Sequence, residues 1–303
     1  MSKLHYFKNL VLPAILVIIT TQIRAQQLFD TQAHRGGRAL MPENTIPAML
    51  NGIKLGVRTL ELDCYVTADG KVMVSHDPFM SSQIMLKPDG SSISKEEEKN
   101  YIFFQMPYDS IRRFPAGMIR LADFPQQQVL KTYKPLLADL IDSVENYVKA
   151  HRLKPVYYNI ETKSKPEWDG KCNPVPEVFV KTLMAIINEK KISDRVIIQS
   201  FDPRTLRVLH QRQPKVSTAL LVSSRSYADN IQLLGFNPTF YSPAFKLVNA
   251  DMIKAAHAQQ VKVLPWTVEK EEDMKNLAMM GVDGIISDYP DRLVKLFGNY
   301  QSK

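Results

Sequence analysis

Cysteine is scarce in this chain of 303 residues: only Cys64 and Cys172 are present. At most one disulfide is possible, and we expect two separate thiols. Glycine is also sparse, at 12 residues, while 45% of the chain is hydrophobic. That balance excludes a disordered or low-complexity chain and indicates a well-packed globular one. The net charge is +8, yet no basic run with interleaved aromatics occurs, which argues against a nucleic-acid partner. Long hydrophobic runs are missing too. Residues 10–19 (LVLPAILVII) are the one sustained apolar stretch, short of the ~20 residues that a spanning helix needs.

That stretch has a different reading. Lys3 and Lys8 precede it, and Ile23-Arg24-Ala25 follows. The order of charge, apolar run and small residue is that of a secretory signal peptide, cleaved after Ala25. No cysteine lies near Ala25 to mark a lipoprotein. We therefore expect residues 1–25 to be a signal and residues 26–303 to be one exported domain, periplasmic or secreted, with no stable membrane span.

Past the signal, short apolar runs alternate with helix-like stretches. Residues 29–33, 57–66, 156–160, 196–200, 218–222, 240–242, 261–268 and 284–287 read as strands. Residues 44–55, 136–149, 175–190, 202–211, 249–259 and 270–280 have the period of surface helices. Repeated βα units imply a parallel sheet with helices outside. Eight strands predict an α/β fold of the TIM type, a (β/α)₈ barrel. Residues 71–76 follow the second strand too closely for a parallel crossover, so they should fold back as a hairpin through Ala68-Asp69-Gly70. With Val66 facing Lys71, His76 would come level with Glu61. Residues 78–134 are too long for an ordinary barrel connection and predict an insertion or lid over the mouth.

The chemistry concentrates in His34-Arg35-Gly36-Gly37, Glu61-Leu62-Asp63, Ser75-His76-Asp77 and Asn159-Ile160-Glu161-Thr162-Lys163. Glu61 and Asp63 are two apart on a strand and share a face. Acids facing a barrel interior need a partner. With Glu161 they offer an all-oxygen set for a divalent cation, Ca²⁺ or Mg²⁺; salt bridges to Arg35 or Lys163 are the alternative. His34 and His76 sit at strand ends, placed to move protons or to ligate metal. Arg35 and Lys163 suit phosphate oxygens or balance the acids. Asn44 is a candidate helix cap, and Glu43 a candidate to orient His34 or Arg35. Trp266 is either an apolar wall for substrate or a barrel-core aromatic.

The ordered set HRGG…PENT, ELD…ADGK…VSHDP, NIETK, QSFDP, PWTV and GVDGIISDYP resembles the glycerophosphodiester phosphodiesterase family over nearly all of the mature chain. Departures are Glu269, where the family often has Asn, and Pro135-Leu136-Leu137 before a long helix. The resemblance implies a TIM-type barrel with an insertion after the His-Asp motif. It implies metal-dependent cleavage of a small-molecule glycerophosphodiester to glycerol 3-phosphate and an alcohol. By the same resemblance His34 and His76 are the acid/base pair. Glu61, Asp63 and Glu161 are metal ligands, and Arg35 and Lys163 phosphate contacts. The rival functions are a lysophospholipase D- or phospholipase C-like lipase and a non-catalytic phosphodiester-binding barrel.

Overall fold

The computed structural model describes residues 29–302; the expected signal segment lies outside them. In chain order the elements are β1 (Asp30–Ala33), α1 (Ile46–Leu55), β2 (Thr59–Val66), β3 (Val72–Val74), α2 (Tyr108–Ile111), α3 (Leu137–Ala150), β4 (Tyr157–Thr162), α4 (Pro176–Glu189), β5 (Val196–Ser200), α5 (Pro203–Arg212), β6 (Ser217–Val222), α6 (Tyr227–Leu234), β7 (Phe240–Pro243), α7 (Ala250–Ala258), β8 (Lys262–Val263), α8 (Glu271–Met280), β9 (Gly284–Ser287) and α9 (Pro290–Phe297). The parallel strands run in the order β8-β7-β6-β5-β4-β2-β1-β9. Backbone bonds from Asp283 N to Val263 O and from Ile286 N to Pro265 O join the two ends. The result is a nearly closed eight-stranded parallel barrel ringed by helices, as the βα alternation predicts.

The strands are buried on both faces, which is why they read as continuous apolar runs and not as alternating ones. The outer face packs against the helices. Leu140, Ile141 and Val144 of α3 and Phe179, Leu183 and Ile187 of α4 belong to that core. They recur at helical spacing, so burying this stripe is what holds each helix to the sheet. The inner face is different. Ile197, Ala219, Phe240, Leu264 and Ile286 fill one part of the barrel, whereas Glu61, Asp63 and Glu161 take inner positions on β2 and β4.

Two differences from the sequence reading have plain causes. The eighth strand is regular only over Lys262–Val263, because Pro265 has no N–H to extend the ladder. The β2–β3 hairpin forms, but Val66 faces Val72 rather than Lys71. Thr67 N donates to Lys71 O, which adds a rung and leaves a three-residue turn with Gly70 at φ 72°. His76 is therefore level with Leu62, one residue off, and still reaches the acids' cavity.

Residues 78–134 build a small subdomain beside the barrel mouth. Its core of Met80, Met85, Ile93, Phe103, Ile111 and Phe114 packs on Tyr65 and Met73 of the hairpin. Among the described residues no helix is long and apolar enough to cross a membrane. Cys64 and Cys172 are free thiols, the first fully buried.

Candidate active site

The chain leaves β1 through a sharp turn. Arg35, Gly36 and Gly37 have φ of 51°, 81° and 95°, a left-handed run that L-residues with a Cβ resist. Gly36 also has no room: a Cβ there would lie 2.8 Å from Ala48 Cβ and 2.9 Å from the Ala48 carbonyl carbon. The turn aims the Arg35 N–H at Glu61, where it donates to Oε2 at 2.7 Å. Gly36→Ala is expected to cost at least about 2 kcal/mol, from left-handed strain plus the clash. Urea unfolding checks this, and a variant as stable as the native chain would refute it.

Sheet register brings the acids together. Asp63 lies beside Glu161 across β2 and β4, and Glu61 beside Asn159. Glu61, Asp63 and Glu161 are all buried, and each offers an oxygen within 4.8 Å of the others. Like charges this close oppose one another. Burial, and then the Asp63 charge, push Glu61 well above the usual carboxylate range. Burial also raises Glu161, to about 7, against the pull of Lys163. Burial works the same way on Asp63, but Lys163, His76 and Arg35 overcome it and hold that group low. Three buried acids that resist sharing their charge fit a bound divalent cation, and an oxygen-only donor set fits a hard one.

The cations stand around this cluster. Lys163 Nζ is 3.1 Å from Glu161 and 3.7 Å from Asp63. Arg35 Nη1 contacts both Glu43 oxygens, at 3.0 and 2.9 Å. Arg35 Nε is 3.6 Å from Asp63 and is buried with no hydrogen bond. A buried guanidinium N–H without an acceptor is an offer to a ligand oxygen. Arg35 and Lys163 thus balance the charge of the acids.

Each histidine is held by an aspartate. His34 Nδ1 meets Asp288 Oδ1 at 2.5 Å, and His76 Nδ1 meets Asp77 Oδ1 at 3.0 Å. A donor bond from Nδ1 leaves Nε2 of the neutral ring as the acceptor. Burial lowers the His34 pKa in spite of Asp288, which favours the neutral, proton-accepting ring. Both histidines line one cavity of about 250 Å³ with the three acids, Arg35, Lys163 and Trp266.

Glu43 accepts from Arg35 Nη1 with both carboxylate oxygens, while His34 pairs with Asp288. Asn44 is not the helix cap. Thr45 caps α1, accepting from Ala48 N, because Pro47 in the first turn starts the helix one residue later. Asn44 instead takes a left-handed backbone at φ 56°, which Asn tolerates. Its side chain grips Asp63 twice, donating to Oδ2 at 2.8 Å and accepting from the Asp63 N–H at 3.2 Å. Trp266 belongs both to the barrel core and to the cavity lining. It packs on the barrel-core cluster, donates from Nε1 to Ser242 O, and turns toward the cavity edge-on to Phe201 at 5.3 Å.

The glycerophosphoryl diester phosphodiesterase family model matches residues 34–292, a span that includes every residue just described. The chain belongs to this family. A glycerophosphodiester phosphodiesterase of Bacillus altitudinis is 29% identical over 270 residues, covering 87% of this chain and 96% of the relative. A candidate glycerophosphoryl diester phosphodiesterase from Silicibacter pomeroyi has a crystal structure that superimposes with a TM-score of 0.79. It is 27% identical and covers 90% of this chain and 94% of its own. An Oleispira antarctica phosphodiesterase, solved in complex with its product sn-glycerol-3-phosphate, shares the fold at 20% identity and a TM-score of 0.69, covering 88% and 96% of the two chains.

Several residues of this family member's site had no role in the sequence reading. Gln199 of β5 donates to Glu61 Oε1 at 2.6 Å, so both Glu61 oxygens have donors. Asp288 follows β9 and holds His34. Both lie in recognised segments, QSFDP and SDYP, where strand-end polar residues were the available signal. Lys134, buried under Glu43, gave none: a lysine before Pro135 reads as surface loop.

Proposed function

We infer that this chain hydrolyses glycerophosphodiesters to glycerol 3-phosphate and an alcohol, in a metal-dependent reaction. One observation carries the reading: two histidines, each fixed by an aspartate, share a cavity with a three-carboxylate cluster and with an arginine that has a donor to spare. Glu61, Asp63 and Glu161 are the residues that would hold Ca²⁺ or Mg²⁺. Bound there, such an ion would neutralise phosphate charge and lower the pKa of the attacking hydroxyl.

The chain's own groups do the rest. Arg35 and Lys163 bind the phosphoryl oxygens. His34 Nε2 takes the proton from the attacking hydroxyl, which is water in the direct route, or the substrate's glycerol 2-OH in a route through a cyclic phosphate that water then opens to glycerol 3-phosphate. A new O–P bond forms as the P–O bond to the alcohol breaks, and His76, starting with a proton on both ring nitrogens, gives its Nε2 proton to the departing alcohol while Nδ1–H stays on Asp77. Asp288 and Asp77 keep the rings oriented, and Asp288 stabilises the charged form of His34 that arises midway. Trp266 and Phe201 give the cavity an apolar side.

The test is a comparison of glycerophosphocholine with its lyso-lipid counterpart. Higher kcat/KM on glycerophosphocholine, with choline and glycerol 3-phosphate as products, is expected. A preference for the lyso-lipid would transfer the assignment to a lipid phosphodiesterase, and binding without turnover to a non-catalytic barrel.

We also propose export, on the signal-like order of residues 1–25. Exported protein should begin near Gln26 when its N-terminus is sequenced. An exported chain that still begins at Met1 would indicate a retained anchor.

A further inference from the structure

One buried ion stands outside the chemistry above. Lys134 is 1% exposed, a rare state for a lysine. Its Nζ donates to the Glu43 carbonyl at 2.7 Å. Burial pushes its pKa down to about 8 against the attraction of Glu43. Lys134 ends the insertion, and the limb it ends grips the loop after β1 at two further points. Gln127 Nε2 donates to Arg38 O at 2.6 Å, and Gln128 N donates to Leu40 O at 2.9 Å.

Glu43 is the pivot of that loop. Its carbonyl takes Lys134, while its carboxylate takes Arg35 Nη1 and, at 3.2 Å, Arg38 Nε. The next residue, Asn44, has the left-handed backbone and the double bond to Asp63. The 43–44 peptide thus sets Arg35 on one side and Asp63 on the other. The turn is fixed by its contacts on both sides, Lys134 on the Glu43 carbonyl and Asp63 on the Asn44 side chain. We propose that Lys134 is a positioning residue: by clamping the Glu43 carbonyl it holds Arg35 where a phosphate oxygen must land. The insertion is then a brace on the phosphate-binding loop, whatever else it covers. This rests on the phosphate-binding role of Arg35 in the proposed function.

The experiment is a double-mutant cycle on glycerol 3-phosphate binding, read by calorimetry on the full chain with saturating Mg²⁺ or Ca²⁺. Lys134→Met is expected to weaken binding about 10- to 100-fold, the range for losing a hydrogen bond from a charged donor. Arg35→Lys weakens it as well. In the Arg35→Lys background, Lys134→Met should cost less than about threefold, because both changes spoil one contact. Losses that simply multiply, or native affinity in Lys134→Met, would overturn the proposal. Lys134→Gln carries the same cycle if the methionine variant does not fold. Failure of both to fold assigns Lys134 to stability alone and also overturns it. A native chain that binds no glycerol 3-phosphate defeats the functional reading first. Native binding left unaffected by Lys134→Met defeats only the role of the lysine.

Discussion

His34→Ala and His76→Ala are each expected to lower kcat on glycerophosphocholine by about 10²–10⁴-fold, the usual worth of general acid or base help. Cation binding should stay near native in both, since neither ring belongs to the carboxylate cluster. The two losses should not multiply, because both groups serve one reaction coordinate. A nitrophenyl diester of glycerol separates the roles. Its leaving group needs little protonation, so it should partly rescue the variant that lacks the acid. Rescue of His76→Ala is expected, as His34 is the less exposed of the two histidines and the one whose pKa burial lowers. Rescue of His34→Ala instead would exchange the roles. Full activity of either variant on glycerophosphocholine would remove that histidine from catalysis.

Glu61→Gln should weaken cation binding by at least about 100-fold, because even residues that merely support metal ligands cost 10- to 100-fold. The loss is of charge more than of shape. Both Glu61 oxygens already accept bonds, from the Arg35 N–H and from Gln199. The acids also make the effect of the cation depend on pH. Glu61 and Glu161 are raised in the folded state, Glu161 to about 7. Their contribution to stability is complete below the unfolded value near 4.5 and is lost as pH rises through the raised folded values, about 7 for Glu161. A cation needs the deprotonated forms and relieves that loss. Saturating Mg²⁺ or Ca²⁺ should therefore raise Tm more at pH 8 than at pH 5.5, and should hardly move it in Glu61→Gln. Equal Tm shifts at both pH values, or in both proteins, would remove Glu61 from the ligands.

The barrel was legible because its strands are buried on both faces and separated by helical periods, so length alone tells one from the other. The acid cluster was legible for a related reason. Two carboxylates at alternate positions of an apolar strand need a buried partner, a cation or a salt bridge, and the register of β2 on β4 sets Asp63 beside Glu161. What stayed hidden depends on the backbone. The one-rung shift of the hairpin follows from Thr67 joining the ladder, and the composition of the turn does not decide it. Asn44 looked like a cap because it precedes a helix, yet its left-handed φ turns the side chain onto Asp63 instead. Asp288 and Lys134 are remote in sequence from His34 and Glu43, and only barrel closure and the return limb of the insertion bring them in.

The central claim is metal-dependent cleavage on the alcohol side of the phosphate. Phosphorus NMR of glycerophosphocholine incubated with the full chain tests it in one experiment. With Mg²⁺ or Ca²⁺ the diester signal should convert to glycerol 3-phosphate. With chelator it should persist, and returning the cation should restore conversion. A diester untouched in the presence of either cation, appearance of phosphocholine in place of glycerol 3-phosphate, or full conversion in chelator would contradict it.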